Sequence, residues 1–264
     1  MAITCPADLN VDRLRAQIRE MYSRLAQSPD GDFHFHRGPQ YAAEVLRYDP
    51  AELAKLPSAC ATRFAGVGNP LRVGPVRAGE KVLDHACGAG VDLLLAARKV
   101  GSGGRAIGVD MTPAMREQVT LAAEEAGLAR IVEVRAGLFE DLPVASGTVD
   151  VVISNGVVNL APDKLRVFSE IARVLRPGGR LYLADVVVAR ELKLAVREDA
   201  DLWAACIGGA VQEPELEALA SAVGLLGGHV TERFDCFAGT SAGSKVAADL
   251  HVHSVNFLAK KASS

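Results

Sequence analysis

The N-terminal part of the chain shows helical periodicity. Between Asn10 and Gln27, apolar residues recur every three or four positions, which predicts an amphipathic helix with Asn10 as its N-cap. A polar and aromatic stretch follows, and a short helix is expected from about Tyr41. Residues 51–70 favour another short helix and an irregular link. We therefore expect residues 1–70 to form a helical lid on a larger domain.

From Lys81 onward, short apolar runs alternate with helical segments. Strands are predicted at residues 81–86, 105–110, 131–136, 149–155 and 180–187, and two more around 229–237 and 250–260. Helices are expected at 92–100, 113–126, 164–175 and 214–223, with an inserted helix at about 191–211. This alternation indicates a parallel sheet covered on both faces. Residues 71–264 are thus predicted to form an α/β, doubly wound, seven-stranded domain with its ligand crevice at the carboxyl ends of the strands.

Composition narrows the possible function classes. The chain has 264 residues, of which 49% are hydrophobic, and a net charge of −3, so we expect a full core and no nucleic-acid partner. It contains no run of 18 apolar residues, and Met1–Asn10 does not resemble a secretory leader, so neither a membrane span nor export is expected. The five scattered cysteines form no CxxC pair, which is typical of a reducing compartment. We expect a cytoplasmic monomer or homodimer.

The turn DHACGAG, residues 84–90, gives the first chemical signal. Gly88 and Gly90 allow the backbone to bend sharply and approach a ligand, and the helix that follows presents free N–H groups. Asp110 ends the second strand, where a carboxylate can accept both hydroxyls of an adenosine ribose. With Ala86 before the two glycines, the GxGxxG cradle of a dinucleotide is absent. A nucleoside site is therefore predicted.

VLDHACGAG resembles motif I of the class I S-adenosylmethionine (SAM)-dependent methyltransferases, with Ala86 replacing the first glycine. GLFEDLPV and RVLRPGGRLYLAD are also similar to that family. The resemblance implies a Rossmann-like fold and SAM as the cofactor, with S-adenosylhomocysteine (SAH) as its product. It implies that Gly88 lies against the methionine part of SAM, Asp110 holds the ribose and Met111 packs on the adenine. The cofactor-binding residues implied in this way are Tyr22, Asp84, Ala86, Gly88, Gly90, Asp110, Met111, Leu138, Phe139 and Asn155.

Three further segments resemble the arsenite methyltransferases within that family. VISNGVVNLAPDK, AACIGGA and FAGVGNP are similar to segments in which those enzymes carry the cysteines that bind As(III). Only Cys206 keeps its sulfur here, because the other two positions are Gly156 and Val67. A soft ion needs several thiolates. We therefore expect a larger, more apolar pocket that suits an organic acceptor better than arsenite.

The expected reaction is methyl transfer to a small molecule. A thiol is the favoured acceptor, because it is partly ionised at neutral pH and strongly nucleophilic. His34 and His36 are candidate bases and Arg37 a candidate anion binder, although all three have the alternative role of fixing their loop. No metal ion is expected. The candidate acceptor-pocket residues are Val67, Gly156, Asn159, Trp203 and Cys206.

Several alternatives remain open at the level of the sequence. Within enzymes, they are C- or O-methylation of a natural-product or quinone-like acceptor, and arsenite methylation. A SAM-binding sensor without catalysis is an alternative from a different class. A nicotinamide oxidoreductase is disfavoured by the missing third glycine.

Overall fold

Seven strands form one sheet in the part of the chain that the computed structural model describes, residues 9–204, 206–240 and 250–263. The strands are β1 (Lys81–Asp84), β2 (Arg105–Asp110), β3 (Val132–Ala136), β4 (Val149–Asn155), β5 (Leu175–Val187), β6 (Leu225–Phe234) and β7 (His253–Lys261). Their order is β3-β2-β1-β4-β5-β7-β6, with β1 to β5 parallel and β7 antiparallel to both neighbours. The predicted fold class is confirmed. The expected absence of a leader concerns residues 1–8, which lie outside the described part.

Helices connect these strands and precede them. They are α1 (Val11–Gln27), α2 (Gly38–Glu44), α3 (Pro50–Leu53), α4 (Ser58–Thr62), α5 (Val91–Val100), α6 (Pro113–Glu125), α7 (Lys164–Val174), α8 (Leu194–Arg197), α9 (Ala200–Ala204) and α10 (Glu213–Ala222). Helix α1 begins where expected, because the side chain of Asn10 accepts a hydrogen bond from the N–H of Arg13 at 2.9 Å. The division into a lid and a SAM-binding domain stays a prediction.

Both faces of the central strands are buried, which explains their apolar sequences. On one face, Leu83 of β1 and Val152 of β4 share a cluster with Phe168 of α7. On the other face, Val82 and its neighbour in β4 pack with Ala96 and Val100 of α5. The ends of β1 and β4 are therefore fixed from above and below. Between these two strands the chain order reverses, since β2 and β3 lie on one side of β1 and β4 and β5 on the other.

Two local expectations were wrong. The single helix expected at 191–211 is two short helices, α8 and α9. Helix α8 buries none of its residues, and Asp199 starts a new helix because its carboxylate accepts a hydrogen bond from the N–H of Leu202 at 3.2 Å. The strand expected at 180–187 begins earlier, at Leu175, and carries a bulge: Leu175 pairs with Val149, and the next pair joins Arg180 to Val151.

Gly90 fixes the packing of α5 on α6, which gives a stability prediction. The residue has φ +91, and an added Cβ would lie 2.2 Å from Cγ2 of Val119 in α6. We expect Gly90→Ala to lower the free energy of unfolding by about 2–4 kcal/mol, from a left-handed backbone and an overpacked contact together. Urea unfolding measures this. Gly88→Ala is the matched control: φ is +49 but no atom lies within 4 Å of the added Cβ, so only about 1–2 kcal/mol should be lost. Equal losses in the two variants would contradict the packing argument.

Candidate functional site

A cleft opens at the carboxyl ends of β1, β2 and β4, and the empty space within it and at its open mouth is about 850 Å³. It lies where the strand order reverses, which is where open α/β sheets bind ligands. The turn after β1, the loop after β3, helix α1 and the link before β1 complete its walls. The structure brings together all ten predicted cofactor-binding residues as lining of this cleft: Tyr22, Asp84, Ala86, Gly88, Gly90, Asp110, Met111, Leu138, Phe139 and Asn155. Their individual roles stay predictions.

The glycine turn is held in place by backbone hydrogen bonds. The N–H of Cys87 donates to the carbonyl of Val109 in β2 at 2.9 Å, and the N–H of Gly90 donates to the carbonyl of Cys87 at 2.8 Å. The space in which a Cβ of Gly88 would lie is open, so a ligand can approach the backbone there. The turn thus combines a fixed backbone with an open surface.

Asp110 links the end of β2 to this turn. Its Oδ2 accepts a hydrogen bond from the N–H of Gly88 at 2.9 Å, and its Oδ1 accepts one from the N–H of Thr112 at 2.8 Å. Burial raises the pKa of Asp110, and the hydrogen bonds from Thr112 and Gly88 oppose that rise. Each carboxylate oxygen keeps a further lone pair. The carboxylate is therefore oriented before a ligand arrives.

Two further carboxylates, Asp84 and Asp92, lie deeper in the cleft. Asp84 and Asp92 are both buried and both line it. Asp92, in the first turn of α5, accepts hydrogen bonds from the hydroxyl of Tyr48 at 2.6 Å and from Nδ2 of Asn155 at 2.9 Å. Burial raises the pKa of Asp92 to about 6, and burial together with the charge of Asp92 raises the pKa of Asp84. This arrangement favours a cationic ligand.

The side chain of Asn155 has a role that the sequence did not indicate. Its Oδ1 accepts hydrogen bonds from the N–H groups of Val67 at 2.8 Å and Gly68 at 3.2 Å. Its Nδ2 donates to Asp92 and to the carbonyl of Gly68. Asn155 therefore connects the end of β4, the link before β1 and the start of α5.

The predicted acceptor residues lie beside the cleft. Val67, Trp203 and Cys206 share one buried cluster, which we call the acceptor-side cluster and which includes Leu160 and Cys236. An added Cβ at Gly156 would lie 3.3 Å from Cγ1 of Val67, so this glycine adjoins the cluster. Leu160 also lines the cleft, and Tyr22 and Met111, two other lining residues, pack against the cluster. The cluster thus forms an apolar wall behind the cleft.

A buried carboxylate fixes the side chain of Asn159, which also lies within hydrogen-bond reach of Cys206 in the acceptor-side cluster. Its Nδ2 donates to Oδ1 of Asp185 at 2.6 Å, and the N–H of Val158 donates to Oδ2 of Asp185 at 2.7 Å. Asp185 lies in the buried part of β5 and is 1% exposed. The contact fixes the short turn Val158–Leu160, which carries part of the cleft lining.

The three predicted catalytic residues are not among the described residues that line the cleft. Nε2 of His36 is 2.7 Å from the carbonyl oxygen of Ala238, and its ring stacks on Tyr41. The guanidinium of Arg37 lies 5.0 Å from the ring centre of Phe33, and His34 packs edge-on against Phe35. These contacts match the alternative in which the side chains fix their loop, and their catalytic role stays a prediction.

Sequence reasoning missed several lining residues that carry polar chemistry, among them Asp92, His85 and Arg63. His85, inside the motif I turn, is buried against Phe139 and lines the cleft. Arg63 is the one cationic side chain among the described lining residues, and its Nε and Nη1 donate to the carbonyls of Ala26 and Ala59. The position of His85 inside the glycine turn could have predicted that this residue lines the cleft. Nothing local distinguished Arg63, because it reaches the cleft from a separate helix.

Comparison with known proteins identifies the family. The family model described as a methyltransferase domain matches residues 77–230. The chain belongs to the class I SAM-dependent methyltransferases. It is 39% identical over 236 residues to an arsenite methyltransferase of Halobacterium salinarum, covering 84% of this chain and 59% of that protein. It is 42% identical over 152 residues to an arsenite methyltransferase of Aquipseudomonas alcaligenes, covering 54% of this chain and 43% of that protein.

The structural comparison agrees with this methyltransferase assignment. An arsenic(III) SAM methyltransferase from Chlamydomonas reinhardtii superposes with a TM-score of 0.73 at 32% identity, covering 80% of this chain and 73% of that one. The chain spans about three fifths or less of the two curated relatives described above. No helix of the described residues is long and apolar enough to cross a membrane. The same residues contain no group of three or more His, Cys, Asp or Glu side chains that could hold a metal ion.

The cleft fits SAM, the cofactor of this methyltransferase family. SAM carries an ammonium, a sulfonium and a carboxylate, and the cleft offers Asp84 and Asp92 for positive charge and Arg63 for the carboxylate. The carboxylate of Asp110 suits the ribose hydroxyls, and the open space beside Gly88 leaves room for the cofactor. The residues present therefore match both the charge and the shape of the cofactor.

The Asp110 carboxylate gives the first prediction for this site. Asp110→Asn should weaken SAH binding about 10- to 100-fold, because hydrogen bonds to a charged group contribute roughly 1.5–3 kcal/mol. Isothermal titration calorimetry measures the affinity. Glu133→Gln is the control, since Glu133 lies exposed on β3 and pairs with Arg135 outside the cleft. Unchanged affinity in the Asp110 variant would contradict the assignment.

The buried carboxylates give a second prediction, on pH. Because the pKa of Asp92 is about 6 in the absence of ligand, this group must lose a proton before it can favour the ammonium of the cofactor. The affinity for SAH should therefore rise about tenfold between pH 5 and pH 7.5 and level off above that range. Calorimetry in buffers of different ionisation enthalpy should detect proton release at pH 6. Asp92→Asn should abolish both effects, and a pH-independent affinity in the unaltered protein would refute the linkage.

Proposed function

We propose that this methyltransferase transfers the methyl group of SAM to the sulfur of a small organic thiol. The observation that carries the proposal is the apolar wall of the cleft, the acceptor-side cluster. At the positions where the arsenite enzymes carry two of their cysteines, the chain has Val67 and Gly156, which lie against each other. An apolar wall suits the carbon skeleton of an organic molecule, and a thiol is a strong nucleophile toward a sulfonium methyl group.

The residues of the chain would contribute by positioning. SAM supplies an electrophilic methyl group on its sulfonium sulfur. Asp110 would hold the ribose, while Asp84 and Asp92 would hold the ammonium end. Tyr22 and Met111 would separate the cofactor from the acceptor-side cluster, since they touch both the cleft and that cluster. Holding donor and acceptor in line lowers the barrier by removing the entropy of their encounter.

Methylation of trivalent arsenic is the second candidate. Cys206 and Cys236 lie in the same buried cluster, and each is close enough for its charge to affect the pKa of Tyr41. The halobacterial and algal relatives are named as enzymes that act on arsenic. Two thiols are fewer than the three that form a trigonal site for a soft ion, so this candidate ranks below the organic thiol.

A panel assay separates the candidates. Purified protein with methyl-labelled SAM should label aliphatic and aromatic thiols, and should label phenols and arsenite at least tenfold more slowly. If arsenite is the faster acceptor, the second candidate replaces the first, and Cys206→Ser and Cys236→Ser should then each abolish that activity. SAH binding by calorimetry without methylation of any acceptor would instead support a SAM-binding sensor.

A further inference from the structure

His85 presents a buried polar ring to the cleft. The residue is 1% exposed, lines the cleft and contacts the ring of Phe139 at a centroid distance of 6.2 Å. Neither Nδ1 nor Nε2 has a hydrogen-bond partner among the described residues. A neutral imidazole has one donor and one acceptor, and buried polar groups are rarely left unsatisfied. The ring therefore needs a hydrogen-bond partner from a molecule that occupies the cleft.

The neighbouring strand ends repeat this pattern. Asp84 of β1 pairs with Ile153 of β4, and the N–H of His85 donates to the carbonyl of Ile153, so His85 and Ser154 are neighbours at the carboxyl edge. Oγ of Ser154 and Oδ1 of Asn159 are also buried without a hydrogen-bond partner among the described residues. Polar atoms that lack protein partners thus gather at one end of the sheet, beside the predicted acceptor pocket.

We propose that His85 is a catalytic residue, which accepts a hydrogen bond from the nucleophile of the acceptor and takes up its proton during methyl transfer. The inference rests on the proposed function. As the thiol sulfur forms a bond to the methyl carbon, the bond from that carbon to the sulfonium sulfur of SAM breaks, and its electron pair stays on SAH. The S–H proton of the acceptor passes to a ring nitrogen of His85. The products are a thioether, SAH and an imidazolium that later loses its proton to solvent.

The surroundings of His85 suit a base that is neutral before the reaction. Burial alone lowers its pKa to about 4, although Asp84, Asp110, Asp185 and Glu140 belong to the elements around it. A base this weak is sufficient, because a sulfur that has gained a methyl group while still protonated is a strong acid. A thiol acceptor needs a base to remove its proton, because an apolar environment keeps the thiol protonated. Cys236 in the acceptor-side cluster illustrates the effect, because burial raises the pKa of its thiol to about 12.

Steady-state kinetics of His85→Leu and His85→Asn test this role. With the best thiol of the panel at pH 7, both variants should lose about 100-fold or more in kcat, while their affinity for SAH stays within about threefold of the unaltered protein. The deficit in kcat/KM should shrink as the pH rises to about 8.5, because the free thiol then ionises without help. His229→Leu is the matched control, since His229 is exposed on β6 and contacts the carbonyl of Gly227 outside the cleft. It should behave like the unaltered protein at every pH.

The outcomes distinguish failure of the catalytic role of His85 from failure of the proposed thiol methylation. If the unaltered protein methylates thiols and the His85 variants match it, or fall short by the same factor at every pH, the catalytic role of His85 is overturned and the proposed function stands. If the unaltered protein methylates no thiol, the proposed function fails and the role of His85 fails with it. His85→Asn keeps a polar side chain at this buried position, so a folding defect specific to leucine does not obscure the result.

Discussion

The hydrogen bond from the N–H of Gly88 to the carboxylate of Asp110 is the interaction on which the geometry of the cofactor cleft depends. It joins the turn after β1 to the end of β2, beside the backbone hydrogen bond from Cys87 to Val109. The N–H of Thr112 fixes the second oxygen, so the carboxylate cannot rotate away from the cleft. A group that is oriented before the ligand arrives costs less entropy on binding than one that must be ordered. Gly88 has a positive φ in this turn, a conformation that glycine adopts without steric cost.

The sequence predicted this region well because its signals are local. A buried strand, a glycine turn and an acid at the end of the next strand are each readable within a few residues, and parallel pairing brings them together. The contacts that were missed join distant segments. Tyr48 reaches Asp92 across 44 residues, and Asn155 reaches the link before β1 across 88. No periodicity or spacing encodes such contacts, since they depend on how separate elements pack.

The prediction of a single helix at 191–211 was wrong for a different reason. Apolar residues recur there often enough to indicate a helix, yet a run of charged residues, Arg197 to Asp199 followed by Asp201, interrupts them in the middle of the segment. The capping carboxylate of Asp199 then decides where the chain starts a second helix. The indole N–H of Trp203 donates back to the carbonyl of Arg197 at 2.6 Å and closes the break. A cap of this kind is visible in a sequence only when the helix that it starts is already suspected.

The carboxylate proposed to bind the ammonium of the cofactor and the histidine proposed as the base lie on opposite faces of the sheet. Electrostatics gives a reason for placing them apart. Asp92 lies on the face covered by α5, whereas His85 follows Leu83 on the face covered by α7. The charge of the sulfonium disappears during transfer, so a carboxylate beside it would stabilise the reactant more than the transition state and slow the reaction. The ammonium keeps its charge throughout, and a carboxylate pair beside it strengthens binding without that penalty. Carboxylates that hold the ammonium end, together with a neutral imidazole on the opposite face, therefore combine tight binding of the cofactor with an uncharged environment for the reacting sulfur.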